Sequence, residues 1–308
     1  MATILITGGT GMIGSALSTA LLDAGHSVIV LSRGGGERSI NARLRYAHWD
    51  VEKGSIDRAA LAEADAVVHL AGANVADGRW TEKRKQEILR SRVDSGNLLV
   101  QALRDLPNKV STVLSASAIG WYGLDPRVPN PRPFVETDGP DSAFLGRTCA
   151  QWEAAIRPVE ALGKRLVIAR IGIVLARQGG AYAEFRKPMN FGLAPVMGSG
   201  KQVVSWIHID DLVRFFVSAV TDTRFAGVYN AVAPAPVANA VLVQTIAAAK
   251  GGLALPVPAP AFALRLALGE MSIEVLKSAT VSSAKLEGMG FQFLYPGIEA
   301  AARNLEGK

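Results

Sequence analysis

A doubly wound α/β fold on a parallel sheet, with a small C-terminal α/β lobe, is the architecture expected of this 308-residue chain. Two observations carry the expectation. Short, β-branched, nearly continuous apolar runs recur through the first half, as strands buried on both faces of a parallel sheet require. Segments with helical spacing separate them, which implies right-handed βαβ units. A hydrophobic content of 49% supplies the core that such a sheet needs.

The elements follow in order. "TILIT" (3–7) is the first strand, and a helix over 12–24 stops at Gly25. "SVIVLS" (27–32) is the second strand, "RYAHW" ahead of Asp50 the third, and "AVVHLA" (66–71) the fourth. A helix over 81–104 leads to the strand "VSTVLSAS" (110–117), and a helix over 143–162, ended by Gly163, leads to "RLVIARIGIVL" (165–175). After residue 175, Gly179-Gly180, Pro188, Gly192, Pro195, Gly198 and Gly200 break the chain into short pieces. "VVSWIHIDDLV" (203–213) then resumes a strand-to-helix pattern, with Asp210 the expected N-cap. Beyond Ala233, "APAPV" and "PVPAPAF" bracket helical stretches, and short helices are expected around "FQF" and over 297–305. The expected organisation is a main domain of 1–174 to which 203–232 return. Residues 175–202 and 233–308 form the lobe over the C-terminal edge of the sheet, where such folds bind ligands.

A formal net charge of +6 favours acidic ligands. The densest basic run, "RWTEKRKQEILRSR" (79–92), interleaves Glu82 and Glu87 and lacks stacking aromatics, so it reads as a solvated helix face and not as a nucleic-acid surface. Cys149 is the only cysteine, which excludes an internal disulfide and leaves two readings, a nucleophile or a small buried residue. The four histidines, at 26, 48, 69 and 208, show no metal-ligand spacing. With no leader-like opening and every apolar stretch broken by Pro, Gly or charge, a cytoplasmic protein without membrane association is expected.

The most informative stretch is "ILITGGTGMIGSAL", which contains both Gly9-x-Gly11-x-x-Gly14 and Thr7-Gly8-x-x-Gly11-x-x-Gly14. It follows a strand and opens a helix, the setting in which glycines let backbone approach a pyrophosphate while the N–H groups around Met12, Ile13 and Gly14 face its charge. The second strand ends in Ser32 and Arg33, where selective NAD binding places an acidic residue against the ribose hydroxyl. A guanidinium there pairs with a 2′-phosphate and favours NADP(H) by about ten- to a hundredfold. Asp50 is placed toward the adenine side, and Leu70, Ala71 and Gly72 end the fourth strand under the cofactor path. Ordinary loop packing accounts for those four residues equally well.

These motifs, with "HLAGA" (69–73), the serine strand running into Tyr122-Gly123 and "WIHIDDL" (206–212), resemble the extended short-chain dehydrogenase/reductases, the group of sugar-nucleotide epimerases and dehydratases. "RWTEKRKQEILRSRV", "SASAIGWYG", "FLGRTCAQWEAA" and "GFQFLYPGIEAA" resemble more closely its atypical subgroup of SDR39U1-like epimerase family proteins, whose tail is a domain of unknown function. The resemblance implies an NADP-binding Rossmann domain, a small carbonyl or sugar-nucleotide substrate, and a homodimer through the helices at 81–104 and 143–162. It places Glu87 and Arg92 in the cofactor pocket, where a surface salt bridge is the alternative for Arg92. It assigns substrate orientation to Ser117.

The family's proton shuttle, a Tyr-x-x-x-Lys, falls on Leu145 and Cys149, which cannot reproduce it. Tyr122 is a candidate substitute acid/base, with core packing against Trp121 the competing reading, and Glu136 and Asp138 are further candidates for the cleft. Two functions stay open: an NADP(H)-dependent oxidoreductase or epimerase, and a non-catalytic NADP(H)-responsive regulatory protein of the kind labelled cell-division inhibitor.

Overall fold

The computed structural model describes residues 1–34 and 38–308. Its first half comprises β1 (Thr3–Thr7), α1 (Met12–Asp23), β2 (Ser27–Ser32), β3 (Arg38–Asn41), β4 (Leu44–Asp50), β5 (Ser55–Ile56), α2 (Arg58–Glu63), β6 (Ala66–His69), α3 (Glu82–Asp105), β7 (Thr112–Ala118) and α4 (Phe144–Ile156). There follow β8 (Arg165–Ile171), β9 (Ile173–Ala176), α5 (Gly180–Met189), β10 (Leu193–Met197), β11 (Val203–Val204), β12 (Trp206–His208), α6 (Ile209–Thr221) and β13 (Gly227–Ala231). The rest is β14 (Val237–Ala238), α7 (Asn239–Lys250), β15 (Leu255–Ala259), α8 (Ala261–Leu268), α9 (Ser272–Leu276), α10 (Ala284–Gly288) and α11 (Ile298–Leu305).

The central sheet runs β13-β8-β7-β6-β1-β2-β4-β3, with β5 on β4. All its pairings from β13 to β4 are parallel, while β3 and β5 run antiparallel to β4. Alternation along β1 explains the layers. Ile4 and Ile6 enter the core shared with Leu17 and Leu21 of α1 and Phe215 of α6. Leu5 enters the opposite core, with Leu61 of α2 and Leu99 of α3. A strand with helices on both faces must be apolar at every position, as "TILIT" very nearly is. A third core, including Tyr182, Trp206, Leu242, Ile246 and Ile298, lies among α5, β12, α7 and α11.

Four expectations shift. The run 165–175 is not one strand: it breaks at Gly172, and β9 leaves the main sheet to pair with β12. The helix expected over 143–162 is α-helical only to Ile156 and continues as a 3-10 helix over Arg157–Leu162, because Pro158 has no N–H to continue the α-helical ladder. The N-cap of α6 is His208 and not Asp210: the ring Nδ1 accepts from the Asp210 N–H at 3.1 Å. "FQF" forms no helix; Phe291 packs edge-on to Phe293, with ring centroids 5.0 Å apart. Among the described residues, no helix is long and apolar enough to cross a membrane.

Candidate cofactor cleft and its polar floor

The glycine turn between β1 and α1 is shaped by contact. Gly8 has φ 69°, and a Cβ on it would lie 2.8 Å from the carbonyl carbon of Leu70. A Cβ on Gly9 would meet Val30 at 2.7 Å, and one on Gly14 would overlap the Gly8 carbonyl. The Gly11 N–H donates to Gly8 O at 3.1 Å, and Ser15 N makes the first bond of α1, to Gly11 O. The N–H groups of Met12, Ile13 and Gly14 therefore open outward from an uncapped helix start, a ready anion cradle.

Thr7 lies beneath that cradle, fully buried. Its Oγ1 accepts from the N–H groups of Leu70 and Ala71 at 3.1 and 3.2 Å and meets His69 Nδ1 at 2.8 Å. His69 Nε2 in turn faces Ser95 Oγ at 3.3 Å, and burial pushes the imidazole pKa down to about 4. This chain of bonds fixes where β6 ends. Ser32 is half-buried and Arg33 exposed at the end of β2. Asp50, at the end of β4, accepts from the N–H groups of Glu52 and Lys53, and the Lys53 N–H leads the interactions that hold its carboxyl below the usual range.

Arg92 stands on α3 under the end of β6. Its guanidinium carbon is 3.2 Å from the point a Cβ on Gly72 would occupy. Nη1 donates to Ala73 O at 3.0 Å and Ile88 O at 2.9 Å, and the group lies 4.9 Å from the Trp152 ring centroid. Glu87, by contrast, is exposed and pairs with Arg84 at 2.7 Å. Further along, Lys85 bonds Glu82 and Glu270, so the basic run is laced with carboxylates.

A buried polar cluster lies beside the end of β7. Ser117 and Arg170 are register partners across β7 and β8, which brings their side chains to the same face. Glu153 of α4 packs over them: it accepts from Ser117 Oγ at 2.8 Å and takes both Nε and Nη2 of Arg170, at 2.8 and 3.1 Å. Arg170 also stacks 3.6 Å from the Trp121 ring centroid and donates to Tyr122 OH at 3.1 Å. Tyr122 in turn donates to Asn230 Oδ1 at 2.7 Å. Its phenol is fully buried, and its pKa is pushed up to about 12, chiefly by that burial. Glu136 accepts from the Asn230 N–H, and Asp138 holds Arg132 and the Val135 N–H.

The sequence profile of the NAD dependent epimerase/dehydratase family matches residues 4–231, and that of a domain of unknown function, DUF1731, matches 259–305. The chain belongs to the NAD dependent epimerase/dehydratase family. Within it, the chain is 37% identical to the epimerase family protein Mb2239 of Mycobacterium bovis, over 97% of this chain and 96% of that one. It is 34% identical to YfhF of Bacillus subtilis, over 98% and 97%. A crystal structure of the human epimerase family protein SDR39U1 (isoform 2) with NADPH is 31% identical and superimposes with a TM-score of 0.88, covering 99% of both chains.

Leu145 packs against Gly120, and Cys149 is buried with its thiol directed at Ala118 O, 3.6 Å away. Burial first, and the Glu153 carboxylate second, push the Cys149 pKa up to about 12, against the opposing pull of Arg92. Glu153, Arg170 and Asn230 are members of the cluster that motif reading passed over. The available signals were a charged residue inside a strand-like apolar run and a carboxylate four residues after Cys149, on the same helix face.

Proposed function

We propose that the chain is an NADP(H)-dependent oxidoreductase or epimerase of the extended short-chain dehydrogenase type, acting on a small carbonyl, hydroxyl or sugar-nucleotide substrate. The observation that carries this reading is the tight glycine turn at 8–14 combined with Arg33, instead of an acidic residue, at the end of β2. The residues fit the cofactor. Gly8, Gly11 and Gly14 leave backbone room, Met12 and Ile13 offer free N–H groups, and Ser32 and Arg33 suit a 2′-phosphate. Asp50 and the segment Leu70, Ala71, Gly72 flank the path, Thr7 braces it from below, and Glu87 holds the outer rim through Arg84. The likeness to a human relative solved with NADPH supports the same choice.

Bound there, the cofactor supplies or accepts a hydride. Oxidation of a hydroxyl also releases a proton, and the path the chain's own residues offer it is the Ser117–Glu153 hydrogen bond. Ser117 donates its proton to Glu153 and so offers the substrate lone pairs, which suits a substrate hydroxyl better than a carbonyl. Leu145 has no proton and Cys149 keeps its own. Tyr122 is assigned here to bracing Arg170, in place of the acid/base role its sequence position invited.

Fluorescence titration of NADPH and NADH into wild type and Arg33→Ala tests the binding half. NADPH preference of about ten- to a hundredfold is expected in wild type and lost in the variant. An Arg33→Ala protein with unchanged preference removes the assignment. Absorbance assays across carbonyls, alcohols and sugar nucleotides test turnover, and saturable binding without turnover across that panel replaces the enzyme with an NADP(H)-responsive binding protein.

A further inference from the structure

We propose that residues 260–276 form a strap over the reacting end of the cleft, clasped shut by Arg79 and Lys85 and opened to pass cofactor and substrate; this rests on the cofactor reading above. Three observations carry it. First, the strap runs between fixed feet past the starts of both helices that flank the cleft. β15 pairs with β10 just before it, and Ser278 bonds Asp125 just after it. Between the feet, Arg79 Nη2 donates to Leu266 O at 2.9 Å and Lys85 Nζ meets Glu270 Oε2 at 2.5 Å, at the start of α3. Lys85 also lies 5.7 Å from the ring centroid of Phe144, on which Trp80 packs edge-on, so the clasp stands where the starts of α3 and α4 meet. Further on, Glu274 of α9 is within electrostatic reach of Asp141, just ahead of α4. Because α3 follows β6 and α4 follows β7, both helix starts stand at the C-terminal edge of the sheet, where such folds bind ligands. Second, packing does not hold the strap down. α8 buries none of its residues, and Phe262 and Leu266 are 72% and 77% exposed. An element with so little buried apolar surface opens at low free-energy cost. Third, polar contacts to one short stretch of chain hold it instead. Gly269 turns the strap at φ 60° against Arg79, whose Nε would lie 3.3 Å from a Cβ there, and the Lys85–Glu270 pair follows at the next residue.

Glu270→Arg sets like charges against one another and opens the clasp, while Lys85→Glu combined with Glu270→Lys rebuilds it with the charges exchanged. Hydrogen exchange over 261–276 is expected to accelerate in Glu270→Arg, with the amides of β1, β6 and β7 unchanged, which also certifies a folded protein. Stopped-flow displacement is expected to show NADPH leaving Glu270→Arg about three- to tenfold faster than wild type. Adenosine 2′,5′-bisphosphate has no nicotinamide ribose to reach the reacting end, so its release, read from the rate at which NADPH replaces it, should stay at the wild-type value. The charge-exchanged variant is expected to return NADPH release to within about twofold of wild type. Unchanged exchange over 261–276 in Glu270→Arg overturns the clasp. Faster exchange with unchanged NADPH release, or equal acceleration of both ligands, overturns the cover over the reacting end. A charge-exchanged variant as leaky as Glu270→Arg removes the Lys85–Glu270 pair from the clasp. Wild type binding neither ligand overturns the cofactor reading itself, and the exchange measurement then judges the clasp alone.

Discussion

Arg170 and Glu153 are each only 2% exposed, and neither charge is stable in that setting without the other. Their two-pronged contact, with Ser117, Tyr122 and the Trp121 face around it, satisfies most of the polar atoms involved. Arg170→Met leaves a buried, unpaired carboxylate and is expected to cost about 3–5 kcal/mol, read as a large fall in the thermal unfolding midpoint. Adding Glu153→Gln removes that charge, so the double variant should be more stable than Arg170→Met alone. A double variant as unstable as the two losses summed would show that the pair does not act as a unit. Little of this was legible beforehand. "RLVIARIGIVL" marks Arg170 as an anomaly, but its meeting with Ser117 and Glu153 depends on which strands are neighbours and in what register, which no local pattern encodes. The tight glycine turn was legible because its glycines, the strand before it and the helix start after it are contiguous in sequence.

At the scale of elements, length and punctuation decided what could be read. The expected helix over 81–104 is α3, shifted by one residue at each end: Thr81 caps it by accepting from the Arg84 N–H at 3.2 Å, and its long apolar periodicity leaves no ambiguity. The apolar run 165–175 has only Gly172 to mark the break between β8 and β9. The cause lies in space and not in φ: a Cβ there would sit 2.8 Å from Ser205 O and 2.8 Å from Val232. The close approach lets β9 turn off the main sheet and pair with β12, which sets the start of α6 and its His208 cap. Gly172→Ala must push the Ser205 backbone and the Val232 side chain away and should cost about 1–3 kcal/mol. Gly163→Ala, at φ 73° in open space, is the control for a purely conformational cost of about 1 kcal/mol. If the two variants lower the thermal midpoint equally, crowding is not what fixes the break.

At the scale of the whole molecule, one carboxylate ties the stretch 278–280 of the C-terminal part to the loop that follows β7. Asp125 accepts from Ser278 Oγ at 2.8 Å, from Thr280 N–H and Oγ1 at 2.9 and 2.8 Å, and from Asn130 Nδ2 at 3.0 Å. Nearby, Ser205 Oγ donates to Ala279 O and accepts from the Val281 N–H, and Phe134 bridges to Val281. Two segments more than 150 residues apart thus share one buried hydrogen-bond network, and the Tyr122 ring stacks on Phe134 at its edge. Because 278–283 cross the main fold here, the proline-rich texture after Ala233 gives no sign of how the chain returns to it. Asp125→Ala strands two hydroxyls, a backbone N–H and the Asn130 side-chain amide in a buried site, each worth about 1–3 kcal/mol. The loss should be local before it is global. Hydrogen exchange is expected to accelerate first at 278–283 while amides of β1, β6 and β7 keep their protection, and limited proteolysis should favour sites within 259–283. Uniform acceleration across the central sheet would mean that this latch carries the stability of the whole fold and not the docking of its final segment.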